Sequence, residues 1–271
     1  MTKTVTYKGG LISYKVDKKN SRNVVLLHGF LESKETWNHY HKELAKTNTV
    51  LSIDLLGHGA SDSAGYIHTM EEMAEVVNLV LKTEKIRKAI LVGHSMGGYV
   101  ALAFSEMFPD NMSGLCLFNS SAKADTHQKK LDRDRAIKVI KRNHNLFIKQ
   151  AIPNLFYSDP NKKKTKKYEA NLNTTLQIAL KTPKQGIIAA LEGMKLREER
   201  EIILRFAHYP ILFIIGKHDP IIPYDNLMEQ TKLSENTTYY VSEKGGHLCF
   251  LDDTKACLTV LQKFIIDSKK K

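Results

Sequence analysis

Residues 91–100 read LVGHSMGGYV, and this stretch decides the fold. A lone serine is a poor nucleophile at neutral pH and becomes reactive only beside a base, an orienting acid and a site for the oxyanion. Gly93-His94-Ser95-Met96-Gly97 matches the pattern G-x-S-x-G, between an apolar run of strand length and a segment that opens a helix. In such a strand-to-helix elbow the serine is forced into strained backbone. Its neighbours two residues away must be glycine, because a Cβ there would collide with the adjoining strand or helix. The elbow also sets Ser95 at a helix N-terminus, where the dipole favours developing negative charge. The alternative is a plain glycine-rich turn; a strand and a helix on either side favour the elbow.

Working outward, NVVLLHG (23–29), TVLSID (49–54), KAILVG (88–93) and GLCLFN (114–119) are continuous aliphatic runs, as expected of parallel strands covered on both faces. Between the second and third, Met73, Val76, Val77, Val80 and Leu81 fall on one side of a helix spanning 70–82. This βαβ rhythm predicts a doubly wound α/β sheet with right-handed crossovers. TVTYKGGLISYKV (4–16) alternates around a Gly-Gly pair and predicts an antiparallel hairpin at the sheet edge.

From 121 to 206 no strand-like run occurs. Apolar residues fall instead at Ile137, Ile140, Phe147, Ile148 and Ala151, and again at Leu176, Ile178 and Leu180, which predicts an inserted helical cap. YPILFIIG (209–216) then resumes the buried-strand pattern, followed by a helix over 223–233, a strand over 237–242 and a closing helix over 253–267. The expected organisation is one α/β core, residues 1–120 and 207–271, interrupted by a cap at 121–206. There is no internal repeat, and the only low-complexity tracts are the lysine runs 162–167 and 269–271.

Two further groups are needed around Ser95. In an open parallel sheet the loops converge at the C-terminal ends of the strands, and ILFIIGKHDPIIP places Asp219 at such an end, on a loop stiffened by Pro220 and Pro223. Asp54 also ends a strand, but it precedes the serine in a turn-rich loop and is expected to brace that turn. In EKGGHLCFLDD, His247 follows a Gly-Gly pair that lets the backbone reach inward. Of the 11 histidines it alone satisfies the chain order Ser, Asp, His. His28 is expected to hold its loop by side-chain hydrogen bonds, and His58, His94 and His218 to serve as loop hydrogen-bonding or surface residues. The oxyanion donors are expected to be the backbone N–H groups of Met96, next after the serine, and Phe30, in the loop LLHGFLES (26–33).

With 42% apolar and 26% charged residues, the 271-residue chain has an ordinary globular composition and length enough for a sizeable core. The N-terminal MTKTVTYKGG lacks the apolar stretch of a secretory signal, and no run approaches the roughly 18–20 apolar residues of a membrane span. The expectation is a cytoplasmic protein. Cys116, Cys249 and Cys257 sit in apolar surroundings and are expected to be core residues rather than disulfide partners or metal ligands. The net charge of +12 is concentrated: residues 123–200 hold 19 Lys+Arg against 8 Asp+Glu, whereas the remainder holds 22 against 21. No nucleic-acid motif accompanies this charge, so nucleic acid is not expected as a partner. The basic segment either presents a solvated surface or guides an anionic substrate or an acidic carrier protein.

Taken in order, LLHGFLES, DLLGHGAS, GHSMGGYVAL, GKHDPIIP and GGHLCFLDD resemble the α/β-hydrolase family over nearly the whole chain. The resemblance implies an eight-stranded, mostly parallel sheet with a helical lid after the sixth strand, a Ser95-Asp219-His247 triad, and neither cofactor nor metal. A serine nucleophile sets the chain apart from the haloalkane dehalogenases and epoxide hydrolases, which use aspartate, and from the dienelactone hydrolases, which use cysteine. The expected function is hydrolysis of a small-molecule carboxylic ester through an acyl-enzyme. Thioesterase and C–C hydrolase chemistry use the same triad, and a small-molecule receptor can be built on the same scaffold. LHGFLES followed by Trp37 also resembles the SHCHC synthases, lyases of menaquinone synthesis; those carry arginine directly after SMGG, where this chain has Tyr99. The expected pocket wall comprises residues 152–157, Leu31, Leu248 and Ile222.

Overall fold

A computed structural model describes residues 2–19, 21–159 and 163–268. Lys162 and residues 269–271 of the two lysine runs lie outside the described residues.

The chain opens with β1 (Thr2–Tyr7), β2 (Gly10–Asp17) and β3 (Asn23–Leu27), then α1 (Asn38–Leu44), β4 (Thr49–Ile53), α2 (Met70–Thr83) and β5 (Ala89–His94). The elbow leads into α3 (Met96–Met107), followed by β6 (Met112–Phe118). Four helices come next: α4 (His127–Ala151), α5 (Lys166–Leu180), α6 (Lys184–Leu196) and α7 (Glu201–Phe206). β7 (Ile211–Gly216), α8 (Tyr224–Gln230), β8 (Thr237–Ser242), α9 (Cys249–Asp252) and α10 (Thr254–Asp267) complete the fold.

The eight strands form one sheet in the order β1-β2-β4-β3-β5-β6-β7-β8. β1 pairs antiparallel with β2 and β2 antiparallel with β4, while every other pairing is parallel. The Gly-Gly hairpin thus forms the edge. β4, β5 and β7 are buried at every position, which is why their sequences show no alternation. α2 starts at Thr69, whose Oγ1 accepts from the Glu72 N–H at 3.1 Å, and it buries Met73, Val76, Val77, Val80 and Leu81. Cys116, Cys249 and Cys257 are buried and free.

The helices between β6 and β7 are tied to α2, α3 and the loop before α2 by specific contacts. His68 N–H donates to Ala189 O at 3.0 Å, and the buried Arg200 guanidinium pairs with Glu71 at 2.5 Å and Glu106 at 2.8 Å, bridging the insertion to α2 and α3. α4 breaks at Asn143 (φ −154°, ψ 90°), whose Oδ1 accepts from the Leu146 N–H at 3.0 Å and caps the second half. That break re-aims Phe147 and Ala151 toward the cavity beside Ser95. Among the described residues, no helix is long and apolar enough to cross a membrane.

Candidate active site

The site is built where β5, β6, β7 and β8 end. Ser95 adopts φ +48° and ψ −114°, a conformation that an L-residue holds only when its surroundings over-determine it. Its N–H donates to Phe118 O at 3.0 Å, and its carbonyl accepts from Gly98 N–H at 2.9 Å and Ser120 Oγ at 2.8 Å. The flanking glycines are required by contact: a Cβ on Gly93 would lie 2.3 Å from Gly97 O, and one on Gly97 would lie 2.3 Å from Leu27 O. Backbone cannot yield as a flexible side chain can. Gly97→Ala is therefore expected to destabilise the fold by about 1–3 kcal/mol. Thermal unfolding should show this as a drop of at least roughly 2 °C.

His247 and Asp219 arrive from loops far along the chain. His247 Nε2 lies 2.9 Å from Ser95 Oγ, and its Nδ1 lies 2.8 Å from Asp219 Oδ2. The histidine's backbone is pinned to the helical insertion, since the N–H groups of His247 and Leu248 donate to Leu155 O at 2.9 and 3.3 Å. Gly246 N–H donates to Asp252 at 2.8 Å. Asp219 is nearly saturated: Oδ1 accepts the N–H groups of Ile221 at 2.7 Å and Ile222 at 3.1 Å, and Oδ2 also accepts Asn119 Nδ2 at 2.6 Å. Burial pushes the Asp219 carboxyl up, but His247, Asn119 and the Ile222 N–H outweigh it and hold the group below the usual carboxylate range. It stays ionised against the imidazole.

The structure thus brings Ser95, His247 and Asp219 into one hydrogen-bonded chain. Phe30 sits at the edge of the same cavity, before Leu31, which holds the left-handed region at φ +62°. Among the described residues, neither the Phe30 nor the Met96 N–H meets an acceptor. The other candidates take bracing roles. His28 Nε2 accepts from the Leu55 N–H at 2.9 Å, and Asp54 accepts from the N–H groups of Lys34 at 2.7 Å and Ala60 at 2.9 Å. His218 stacks on Tyr157 with ring centroids 3.8 Å apart. Of the two roles expected for His58 it takes the loop-bonding one, Nδ1 lying 3.0 Å from Leu56 O; it is fully buried, and burial with the neighbouring His28 lowers its pKa to about 3, leaving it neutral.

His94 takes the hydrogen-bonding alternative, with an acidic partner as well. It is fully buried, with Nδ1 2.8 Å from Glu32 Oε1, a close ion-pair contact rather than an aligned hydrogen bond, and with Nε2 2.9 Å from His247 O. Glu32 Oε2 accepts the Gly29 N–H at 3.0 Å, so the pair joins the Phe30 loop, the elbow and the His247 loop. Burial opposes the charge on each, yet their mutual attraction wins, raising the His94 pKa and lowering that of Glu32. The Glu32 contribution to stability is present above its ordinary value of 4.5 and is lost as pH falls through its depressed folded value. The His94 contribution is present below its ordinary value of 6.5 and is lost as pH rises through its elevated one. Glu32→Gln is therefore expected to cost about 3–5 kcal/mol where both are charged. The difference in melting temperature from wild type should be widest between pH 4.5 and 6.5 and should narrow on either side.

Neither Asn119 nor the Glu32–His94 pair was singled out from the sequence. The available signals were a polar residue directly after β6 and a carboxylate three residues after Gly29.

Ser95 and His247 open onto a cavity of about 340 Å³. Leu31, Ala136, Phe147, Leu155, Leu191 and Met194 make it apolar. Leu248 and Ile222, expected in the wall, are buried away from it, and Ile221 faces it instead. Lys129 and Arg133 of α4 also line it. Tyr99, another lining residue, lies under the Arg197 guanidinium, 4.0 Å from its ring centroid. Among the described residues, no cluster of His, Cys, Asp and Glu is arranged to hold a metal ion.

Comparisons with known proteins agree with this architecture. Residues 22–254 match the alpha/beta hydrolase fold family. A thermophilic esterase from Thermogutta terrifontis, solved with malate bound, superposes with a TM-score of 0.90 at 24% identity, covering 99% of both chains. A Bacillus subtilis protein named as a 2-succinyl-6-hydroxy-2,4-cyclohexadiene-1-carboxylate synthase is 25% identical over 260 residues, 90% of each chain. An uncharacterized protein of Mycobacterium tuberculosis is 36% identical over 97 residues, which span 36% of this chain and only 28% of that relative's length. The eight-stranded sheet, the strained Ser95 elbow and the match over residues 22–254 give one conclusion: the chain belongs to the alpha/beta hydrolase fold family.

Proposed function

We propose that the protein is a serine esterase that cleaves a small carboxylic ester through an acyl-enzyme. The observation that carries this reading is the chain Ser95 Oγ to His247 to Asp219, with links of 2.9 and 2.8 Å, opening onto an apolar cavity. His247 Nε2 takes the hydroxyl proton as Ser95 Oγ attacks the ester carbonyl. The Asp219 carboxylate holds the imidazole in the required tautomer and stabilises the imidazolium. The N–H groups of Phe30 and Met96 receive the negative oxygen; each such donor is worth about 2.7–4 kcal/mol in the transition state. The imidazolium returns its proton to the leaving alcohol. Water, deprotonated by His247, then attacks the acyl-enzyme and releases the acid and free Ser95.

The cavity of about 340 Å³ favours a short acyl or alcohol group, since ligand pockets span roughly 300–1,000 Å³. The esterase named among the structural relatives supports this chemistry. A second reading, a lyase that uses the same hydroxyl and imidazole to start an elimination, is favoured by the Bacillus subtilis relative that matches 90% of the chain. A panel of 4-nitrophenyl esters of increasing acyl length separates the two. The esterase gives a burst followed by turnover, both removed by Ser95→Ala; absence of turnover at every length contradicts it.

A further inference from the structure

Resting on the esterase reading, we propose that the cavity takes an ester bearing a carboxylate, with Lys129 as the principal counter-ion and Arg133 beside it. The two side chains sit one turn apart on α4 and line the same cavity as Ser95 and His247. A surface lysine ordinarily lays its stem on the protein and keeps its ammonium in water. Lys129, a half-buried residue, instead turns its ammonium along the cavity wall, where Nζ donates to a neutral group, Ile221 O, at 2.8 Å. Among the described residues, no carboxylate lies within 4.0 Å of it.

The neighbouring acids are already committed. Asp125, fully covered, is held by Arg133 and by Arg197 at 2.5 Å, so one negative charge faces two guanidinium groups. Asp132, which also lines the cavity, pairs with Arg135 at 2.8 Å and with Gln128 at 3.0 Å. Asp125 takes Nε and Nη2 of Arg133, and Nη1 has no acceptor among the described residues. The local balance is therefore positive, and an incompletely solvated cation without a counter-ion is costly. Burial, Arg133 and Arg197 push the Lys129 ammonium down from its ordinary range and outweigh the attraction of Asp125 and of Asp219, which is itself committed to His247. A carboxylate on the substrate completes the arrangement, while the substrate's methylene stem lies on Leu31, Phe147 and Leu155. The ammonium, a compact point charge, suits a single carboxylate.

The test compares 4-nitrophenyl half-esters of adipate and suberate with the neutral 4-nitrophenyl heptanoate and nonanoate. Wild type is expected to favour the half-esters in kcat/KM by at least about tenfold, as a charge-assisted hydrogen bond implies. The advantage should shrink as salt is added. Lys129→Met brings the ratio toward one and Lys129→Glu inverts it, while thermal unfolding verifies that both variants fold. Equal rates in wild type, or a preference that survives Lys129→Met, overturn the carboxylate assignment and leave the esterase reading standing. Intact esters are also titrated calorimetrically into Ser95→Ala protein. Tighter binding of the half-esters there, lost on adding Lys129→Met, supports the carboxylate site even if wild type hydrolyses nothing, in which case only the esterase reading falls. No preferential binding in that titration overturns the site.

Discussion

Ser95→Ala is expected to lower kcat for 4-nitrophenyl esters by about 10⁴-fold or more, with circular dichroism and thermal unfolding close to wild type. A loss of that size is about 5 kcal/mol of transition-state stabilisation, far more than one hydrogen bond to substrate would contribute. In the proposed mechanism the hydroxyl supplies the bond-forming oxygen, and the binding pocket and oxyanion donors that remain would account for only residual catalysis. The fold should tolerate the change: alanine keeps the Cβ that already occupies φ +48°, and the backbone bonds from Ser95 to Phe118 and Gly98 do not involve the side chain. Retention of a tenth of wild-type activity would place the chemistry elsewhere.

Asp219→Asn should cost about 10⁴-fold in kcat while substrate binding changes little, as the same substitution does in serine proteases with this arrangement. The asparagine carbonyl can still receive the N–H groups of Ile221 and Ile222, which hold the loop, while the amide nitrogen in place of Oδ2 no longer accepts from Asn119. The full charge facing His247 Nδ1 is lost, and with it the stabilisation of the imidazolium. An amide N–H turned toward the ring would also favour the wrong tautomer. Steady-state kinetics separate the two outcomes: a fall confined to kcat supports the orienting role, whereas a rise in KM with kcat intact assigns Asp219 to substrate binding.

Much of the core was legible because buried parallel strands and an amphipathic helix leave periodic marks. The runs at 23–29, 49–54, 88–93 and 209–216 each overlap a strand in the structure, and the Met73 to Leu81 stripe faces inward on α2. The glycines flanking Ser95 were readable from sterics alone, and backbone oxygens do lie 2.3 Å from where their Cβ atoms would stand. Loops carry no such period. Ile221 and Ile222 differ by one position, and which of them faces the cavity depends on how Asp219 accepts both of their N–H groups. The break in α4 at Asn143 lies within a segment whose apolar spacing marks helix but not where it bends. The Glu32–His94 pair joins residues 62 positions apart, and neither position is apolar, so no pattern marks the contact. The basic surplus of residues 123–200 was visible, but only packing picks Lys129 and Arg133 out of it as cavity residues.

The proposed chemistry needs an alcohol made reactive by a distant imidazole. Incubation with an alkyl fluorophosphonate, followed by peptide mass spectrometry, reads that reactivity without needing the natural substrate. The prediction is one phosphonyl adduct per chain, on Ser95, formed at least about 10³-fold more slowly in His247→Ala protein. An unmodified Ser95 in folded wild-type protein, or labelling at the same rate without His247, would contradict it.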